Sequence, residues 1–442
     1  METQSVLFTG IAGTDTRNVL RALRAEILRQ HSDSHYRALA DDPDHSIARV
    51  LVNQYCVEDG IADSVGMETF LTDDDKGRQR RRWKDSFFRT LEAINRDRPG
   101  IALVSSHLAF QRVSHIFSPL AWRFKIGALT AEQGQTEDAI SLFRSLNPVC
   151  CVNLIDDIYS VKRRIKPGTV LRLREIITWR QIESFLTDLL AKSLFGADAS
   201  FEDWPYEYSP VFAVKHPPLS LFRLLFRPNI PRVYACIPVS DPRKEAVRTG
   251  TARVEAFVRT LQSEFTVFSP LTIDEKPLEL LPKAGDKTSI ALDFSKGRWP
   301  PFFDDMLSSE RPADYPIELN VDEISELSRQ MSPGGKSEIS RHVRERDYRL
   351  IDQADCLAVY RIMYKGSEPS SGMYAEVIYA KGRKPCYYVL DPSQGDSTEV
   401  KTLQAEPDVI LVGEDGDTLP RLTEKLRNFR PKRRIDKVHF PS

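Results

Sequence analysis

No two cysteines in this sequence stand at the C-x-x-C spacing that a redox motif or a zinc knuckle needs. The six that occur (56, 150, 151, 236, 356 and 386) are scattered. Cys236, Cys356 and Cys386 lie in apolar runs and read as buried thiols of a reduced protein. The eight histidines do not cluster at ligand spacing, so no metal is expected. The G-x-G-x-x-G fingerprint is missing, which removes the case for a dinucleotide, and no cofactor is expected. No run approaches the roughly twenty apolar residues that cross a bilayer. A strand pattern starts within a few residues of Met1, leaving no room for a signal peptide, and the cytoplasm is the expected location. Charge of one sign is missing too. Lys plus Arg number 62 against 63 Asp plus Glu, a net −1. That balance makes no global case for nucleic acid or membrane as partner. The basic runs from Arg78 to Lys84 and from Arg430 to Arg434 read as solvated faces or tails.

What is present is a globular composition, 41% hydrophobic and 28% charged, on 442 residues. That length predicts two or three domains. Residues 195–231 break the helical pattern with six prolines. The domain boundary is therefore expected near 228–232, giving domains over 1–228 and 229–442. His216, beside Pro217 and Pro218, reads as a packed loop histidine.

In the first half, the apolar run Ser5 to Thr9 leads into Gly10-Ile11-Ala12-Gly13-Thr14-Asp15-Thr16-Arg17 and then a helical pattern. Strand, glycine-rich turn and helix is the context of a phosphate loop, where backbone N–H groups face an anion. Against G-x-x-x-x-G-K-[ST], however, Asp15, Thr16 and Arg17 stand where Gly, Lys and Ser/Thr belong. Gly10, Gly13, Thr14, Thr16 and Arg17 are the candidate residues of this degenerate loop. Arg17 is a partial substitute for the missing lysine. The loop serves either as scaffold or as a weak nucleotide sensor. Two further strands are expected at 100–108, ending in Ser105, Ser106 and His107, and at 150–155, closed by Asp156 and Asp157. Those aspartates either cap the next helix or hold magnesium or a base. The helix 176–194 is expected to bury Trp179, Ile182, Phe185, Leu186 and Leu189.

The second half alternates strands and helices. Strands are expected at 232–239, 266–268, 356–360, 384–390 and 409–412. Helices are expected at 243–264, 338–353, 372–381 and 419–428. A long insertion, about 272–335, interrupts them. The fold class is α/β, with two domains that each hold a mainly parallel sheet with flanking helices. Carboxylates sit at the turning points of the stretch from Arg346 to Pro385: Asp347, Asp355 and Glu376. Ser370, Ser371 and Gly372 precede the last of these, and Ser240 follows the opening strand.

Two resemblances follow from these residues. Gly10 to Arg17, in its strand–loop–helix setting, resembles adenylate-kinase-like P-loop proteins with a damaged loop. The second half resembles nucleoside 2-deoxyribosyltransferases and the related deoxynucleoside 5'-monophosphate N-glycosidases, across most of 232–392. Its matching pieces are Val233-Tyr234-Ala235-Cys236-Ile237-Pro238, Arg346-Asp347 with Ala354-Asp355, and Ser370-Ser371-Gly372-Met373-Tyr374-Ala375-Glu376. The insertion and the bulky loop 361–371 depart from that pattern.

This second resemblance implies a flavodoxin-like or Rossmann-like domain acting on the N-glycosidic bond of a nucleoside or nucleotide. Glu376 would be the nucleophile. Asp347 and Asp355 would be candidates for acid and base-contacting roles, and Tyr234 would steer the nucleophile. Ser240, Ser370, Ser371 and Gly372 would contact substrate. It also implies a homo-oligomer. Two other functions stay open: a nucleotide kinase built on the first half, with a possible second nucleotide there, or a non-catalytic nucleotide-binding sensor or effector.

Overall fold

The computed structural model describes residues 3–39, 52–97, 100–112, 115–125, 136–165, 171–196, 207–238, 248–273, 275, 278, 289–292, 317–328, 337–361, 371–390, 409–411 and 418–431. The protein is mixed α/β, and among the described residues there are two five-stranded parallel sheets flanked by helices and three short two-stranded pairings. It divides into two compact units, the first running to Val214 and the second starting at Lys215. No helix among the described residues is long and apolar enough to cross a membrane.

In the first unit the sheet order is Val52–Cys56, Ile101–Ser105, Gln4–Thr9, Pro148–Ile155, Val211–Ala213, every pairing parallel. The three inner strands are the apolar runs of the sequence. The edge strands were not expected. Val52–Cys56 mixes Asn and Gln into an only partly buried edge, and Val211–Ala213 is three residues long, too short to show periodicity. The helix Leu173–Phe195 corrects the predicted core face. It buries Ile176, Trp179, Arg180, Glu183, Thr187 and Leu190, while Phe185 and Leu189 are exposed. A polar stripe faces in because the ends of the adjoining strands present backbone donors that need an acceptor.

In the second unit the sheet order is Thr266–Phe268, Arg232–Cys236, Cys356–Arg361, Cys386–Leu390, Val409–Leu411, again all parallel. Numbered along the chain this is 2-1-3-4-5. One face packs against helices Arg248–Glu264 and Thr418–Asn428, through Val233, Ala235, Phe257, Leu261, Ala358 and Leu422. The other face carries helices Glu338–Gln353 and Ser371–Ala380. Within the expected insertion, Ser289–Leu292 pairs antiparallel with Ile317–Asn320, which leads into the helix Val321–Ser328.

The second unit begins earlier than the junction expected at 228–232. Helix Pro218–Phe226 packs beside strand Thr266–Phe268. Its Arg223 donates to the carbonyls of Gln262 (2.7 Å), Ser263 (2.7 Å) and Phe265 (2.9 Å). Those carbonyls end the Arg248–Glu264 helix, where a cation also meets the negative end of the helix dipole. His216 is a buried structural histidine, as expected. Its Nε2 accepts the Ser269 N–H at 3.2 Å, and the ring stands edge-on to Phe268. Arg223→Ala removes a charged cap from three carbonyls. Its expected cost is about 1–3 kcal/mol of stability in the second unit, read as faster hydrogen exchange in peptides covering 248–268.

Candidate functional site

Side chains alternate along strand Arg232–Cys236. Val233 and Ala235 point into the apolar cluster, so Tyr234 and Cys236 face helices Glu338–Gln353 and Ser371–Ala380. Those helices bring Asp347 and Glu376. All of this is buried: Tyr234 and Cys236 are 0% exposed, Asp347 6% and Glu376 8%. The structure thus brings together three of the predicted site residues, Tyr234, Asp347 and Glu376, from three separate elements.

The Cys236 thiol lies 3.2 Å from Glu376 Oε2 and 3.8 Å from the Met373 carbonyl. Burial pushes the Glu376 carboxyl up to about 8, and the charge of Asp347 acts in the same direction; Cys236, Tyr234 and Arg346 oppose them. At neutral pH Glu376 is therefore largely protonated. Burial and the nearby acids also hold the Tyr234 phenol well above its ordinary value. The Tyr234 hydroxyl completes no hydrogen bond among the described residues. It sits close enough to favour the charged form of Glu376 without closing a bond of good geometry. A buried phenol beside two carboxyl groups is placed to donate to them.

Arg346 anchors Asp347. Its Nε and Nη2 donate to Asp347 Oδ1 at 3.0 and 2.7 Å, and its Nη1 donates to the Ile273 carbonyl at 2.7 Å. Glu275 Oε2 lies 3.6 Å from Arg346 Nη1 and 3.6 Å from His342 Nε2. Burial works against the Arg346 charge, but Asp347 and Glu275 outweigh it and leave the guanidinium more firmly protonated than usual. On the outer side Tyr348 stacks on Tyr379 at 3.8 Å between ring centres, and Tyr379 donates to Asp352. These contacts lock the two acid-bearing helices together.

The other predicted residues stand elsewhere. Asp355 is a correction: it lies where strands enter the sheet, not where they leave it. Asp355 Oδ2 accepts the Arg232 N–H at 2.7 Å, and its own N–H donates to the Arg232 carbonyl. The strand Arg232–Cys236 is roughly 13 Å long at 3.3 Å per residue. Asp355 is therefore a brace at the far end. Gly372 lies in the first turn of the Ser371–Ala380 helix, which Ser371 opens. Ser240 and Ser370 lie outside the described residues. Cys236, Arg346, Glu275 and His342 were not read as site residues from the sequence. The signal for Cys236 was its position two residues after Tyr234, on the same strand face.

In the first unit, Gly10, Gly13, Thr14 and Thr16 do form a loop between a strand and a helix, but several of its polar groups are turned onto the protein. The Gly10 N–H donates to Glu183 Oε1 (3.1 Å), Thr14 N–H to the Ile11 carbonyl (3.0 Å) and Thr16 N–H to the Thr14 carbonyl (2.7 Å). Arg164 donates to the Gly13 carbonyl at 2.6 Å and to Asp156 at 2.7 Å, so Asp156 braces the loop rather than capping a helix. The His107 ring bonds the Gly10 carbonyl. Arg17 does not replace the missing lysine; it is exposed and paired with Asp59. Gly13 has φ +88°, and a Cβ there would stand 2.8 Å from the Val161 carbonyl. Glu183, which also accepts from Leu108 (2.9 Å) and Ala109 (2.6 Å), is the hub that sequence reading missed. Burial pushes its carboxyl up to about 8 despite those three donors.

No family model and no curated protein sequence matches this chain.

Glu376 sets a pH dependence. Between about 4.5 and 8 the folded protein keeps a proton on Glu376 that the unfolded chain gives up, so stability is full at the acid end and falls as pH rises. The slope from this one group approaches ~1.4 kcal/mol per pH unit. Glu376→Gln should flatten that slope in the second unit. Denaturant-dependent hydrogen exchange of peptides from 232–236 and 356–361, at pH 5.5 and 7.0 (about one pH unit inside each limit), checks it.

Proposed function

We propose that the second unit cleaves, or transfers, the N-glycosidic bond of a nucleoside or nucleotide, with Glu376 as nucleophile. The observation that carries this reading is the convergence of Tyr234, Asp347 and Glu376 in a buried setting at one face of a parallel sheet. Breaking an N-glycosidic bond develops positive charge at the anomeric carbon, and a carboxylate facing that carbon can capture it. The ionised Glu376 forms a bond to the anomeric carbon as the bond to the base breaks. The electron pair leaves with the base, which takes up a proton. Water, or a second base, then attacks the same carbon and frees Glu376. Asp347, held by Arg346, is the second carboxyl of the pair and the one left to contact the base. Tyr234 steers Glu376. Asp355 drops out of the reacting set because it braces the opposite end of the strand.

The strand order 2-1-3-4-5 supports a flavodoxin-like domain, in which ligands sit beyond the carboxyl ends of the strands. In the first unit, the strand, the glycine loop and the following helix keep a kinase-like frame. The N–H groups of Gly10, Thr14 and Thr16 are taken by Glu183 and by the loop's own carbonyls, which favours the scaffold role over a kinase.

Incubation with deoxynucleosides and deoxynucleoside monophosphates, followed by chromatography, should reveal free base. Its release should fall ~10⁴-fold or more in Glu376→Ala. In the wild type kcat/KM should rise with pH as Glu376 ionises, because only the carboxylate attacks. Base release retained by Glu376→Ala, or absent from the wild type with every substrate, overturns the reading.

A further inference from the structure

We propose that Cys236 is a positioning residue for Glu376: its thiol holds Oε2 and eases the loss of the carboxyl proton. The inference rests on the reading of Glu376 as nucleophile. The geometry is direct. Tyr234 and Cys236 share one strand face, and Sγ lies 3.2 Å from Oε2 with both side chains buried. The competing acceptor, the Met373 carbonyl, is farther at 3.8 Å.

Elimination points the same way. A buried carboxylate needs donors, and the surroundings supply few. The three donor nitrogens of Arg346 are committed to Asp347 and to the Ile273 carbonyl. The Tyr234 hydroxyl completes no bond. Among the described residues Cys236 is the side chain that closes a hydrogen bond of good geometry to Glu376, with the Tyr234 phenol near it. Burial and the neighbouring carboxyl keep its sulfur protonated, so it remains a donor when Glu376 ionises.

A thiol is a weak donor, and that weakness suits the task. It favours the carboxylate enough to help the proton leave, but a strong donor would hold the oxygen back from the anomeric carbon. Hydrogen bonding to the charged form is one of the three ways to lower a carboxyl's hold on its proton. Removing the donor should raise that hold, and a stronger donor should lower it.

The test is a pair of variants with opposite expected effects. Cys236→Ala should move the acid limb of the kcat/KM profile to higher pH, with about tenfold less activity below the limb. Cys236→Ser should move it to lower pH. A merely structural cysteine would not give shifts of opposite sign. A second measurement needs no turnover. The infrared S–H stretching band of Cys236, isolated by subtracting the Cys236→Ala spectrum, should shift to lower frequency as pH rises through the ionisation of Glu376. It should not shift in Glu376→Gln. An unmoved acid limb in Cys236→Ala, shifts of the same sign in both variants, or an S–H band indifferent to pH each overturn the proposal. Absence of base release from the wild type defeats the functional reading alone, since the infrared band still reports the thiol–carboxyl bond.

Discussion

A guanidinium shut away from water must have its donors matched, and Arg346 meets that demand with two acids and a carbonyl. Asp347 takes two of its N–H groups, the Ile273 carbonyl takes another, and Glu275 adds a second negative charge at 3.6 Å. Leaving one charge of such a network unpaired costs several kcal/mol, of order 3–5. Asp347 therefore has little freedom to move, and it stands as a fixed neighbour of Glu376. A second buried carboxyl beside it keeps its proton. From this follows the position of Asp347, whose charge adds to burial in holding the proton on Glu376.

The two units offer a controlled comparison. Glu183 and Glu376 are both carboxyls from long or medium helices, both buried against the carboxyl end of a parallel sheet, and both pushed up to about 8. Glu183 accepts three backbone N–H groups and ties the Gly10 loop to the Leu108–Ala109 turn. Glu376 meets no backbone donor among the described residues; a thiol closes a hydrogen bond of good geometry to it, with the Tyr234 phenol nearby. A perturbed carboxyl alone does not mark a reactive site. Fixed amides around it make a structural joint, whereas movable side-chain donors leave an oxygen that can be given to a substrate.

The loop from Gly10 to Arg17 shows how a recognisable frame becomes a joint. Without the lysine, and with Asp15 where a phosphate would pass, there is no charge to hold an anion. The N–H groups of Gly10, Thr14 and Thr16 are satisfied from within instead, and Arg164 crosses over to bond Gly13 and Asp156. Gly13 stays necessary for a packing reason, because its φ of +88° and the Val161 carbonyl leave no room for a side chain.

Much of the second unit was legible in the chain itself. Apolar runs with acids at their ends named its five strands, and the resemblance to the deoxyribosyltransferases singled out Glu376, with Asp347 and Asp355 as supporting candidates. Burial of strand residues is encoded locally, by which positions along a run are apolar. The face of helix Leu173–Phe195 was not legible, because Glu183 is inside for the sake of backbone donors that other segments bring, and periodicity counts only apolar residues. Asp355 stands just before its own strand, so sequence order already put it at the entry end; the parallel register with Arg232 adds that the opening strand enters there too, which makes Asp355 a brace between the two. In the second unit the sequence alone determined which segments form the five-stranded sheet and which acids were available. Tertiary structure decided which acids meet, because that depends on strand order and on which end of the sheet each residue reaches. It put Cys236 against Glu376, a contact across 140 residues that no local pattern announces.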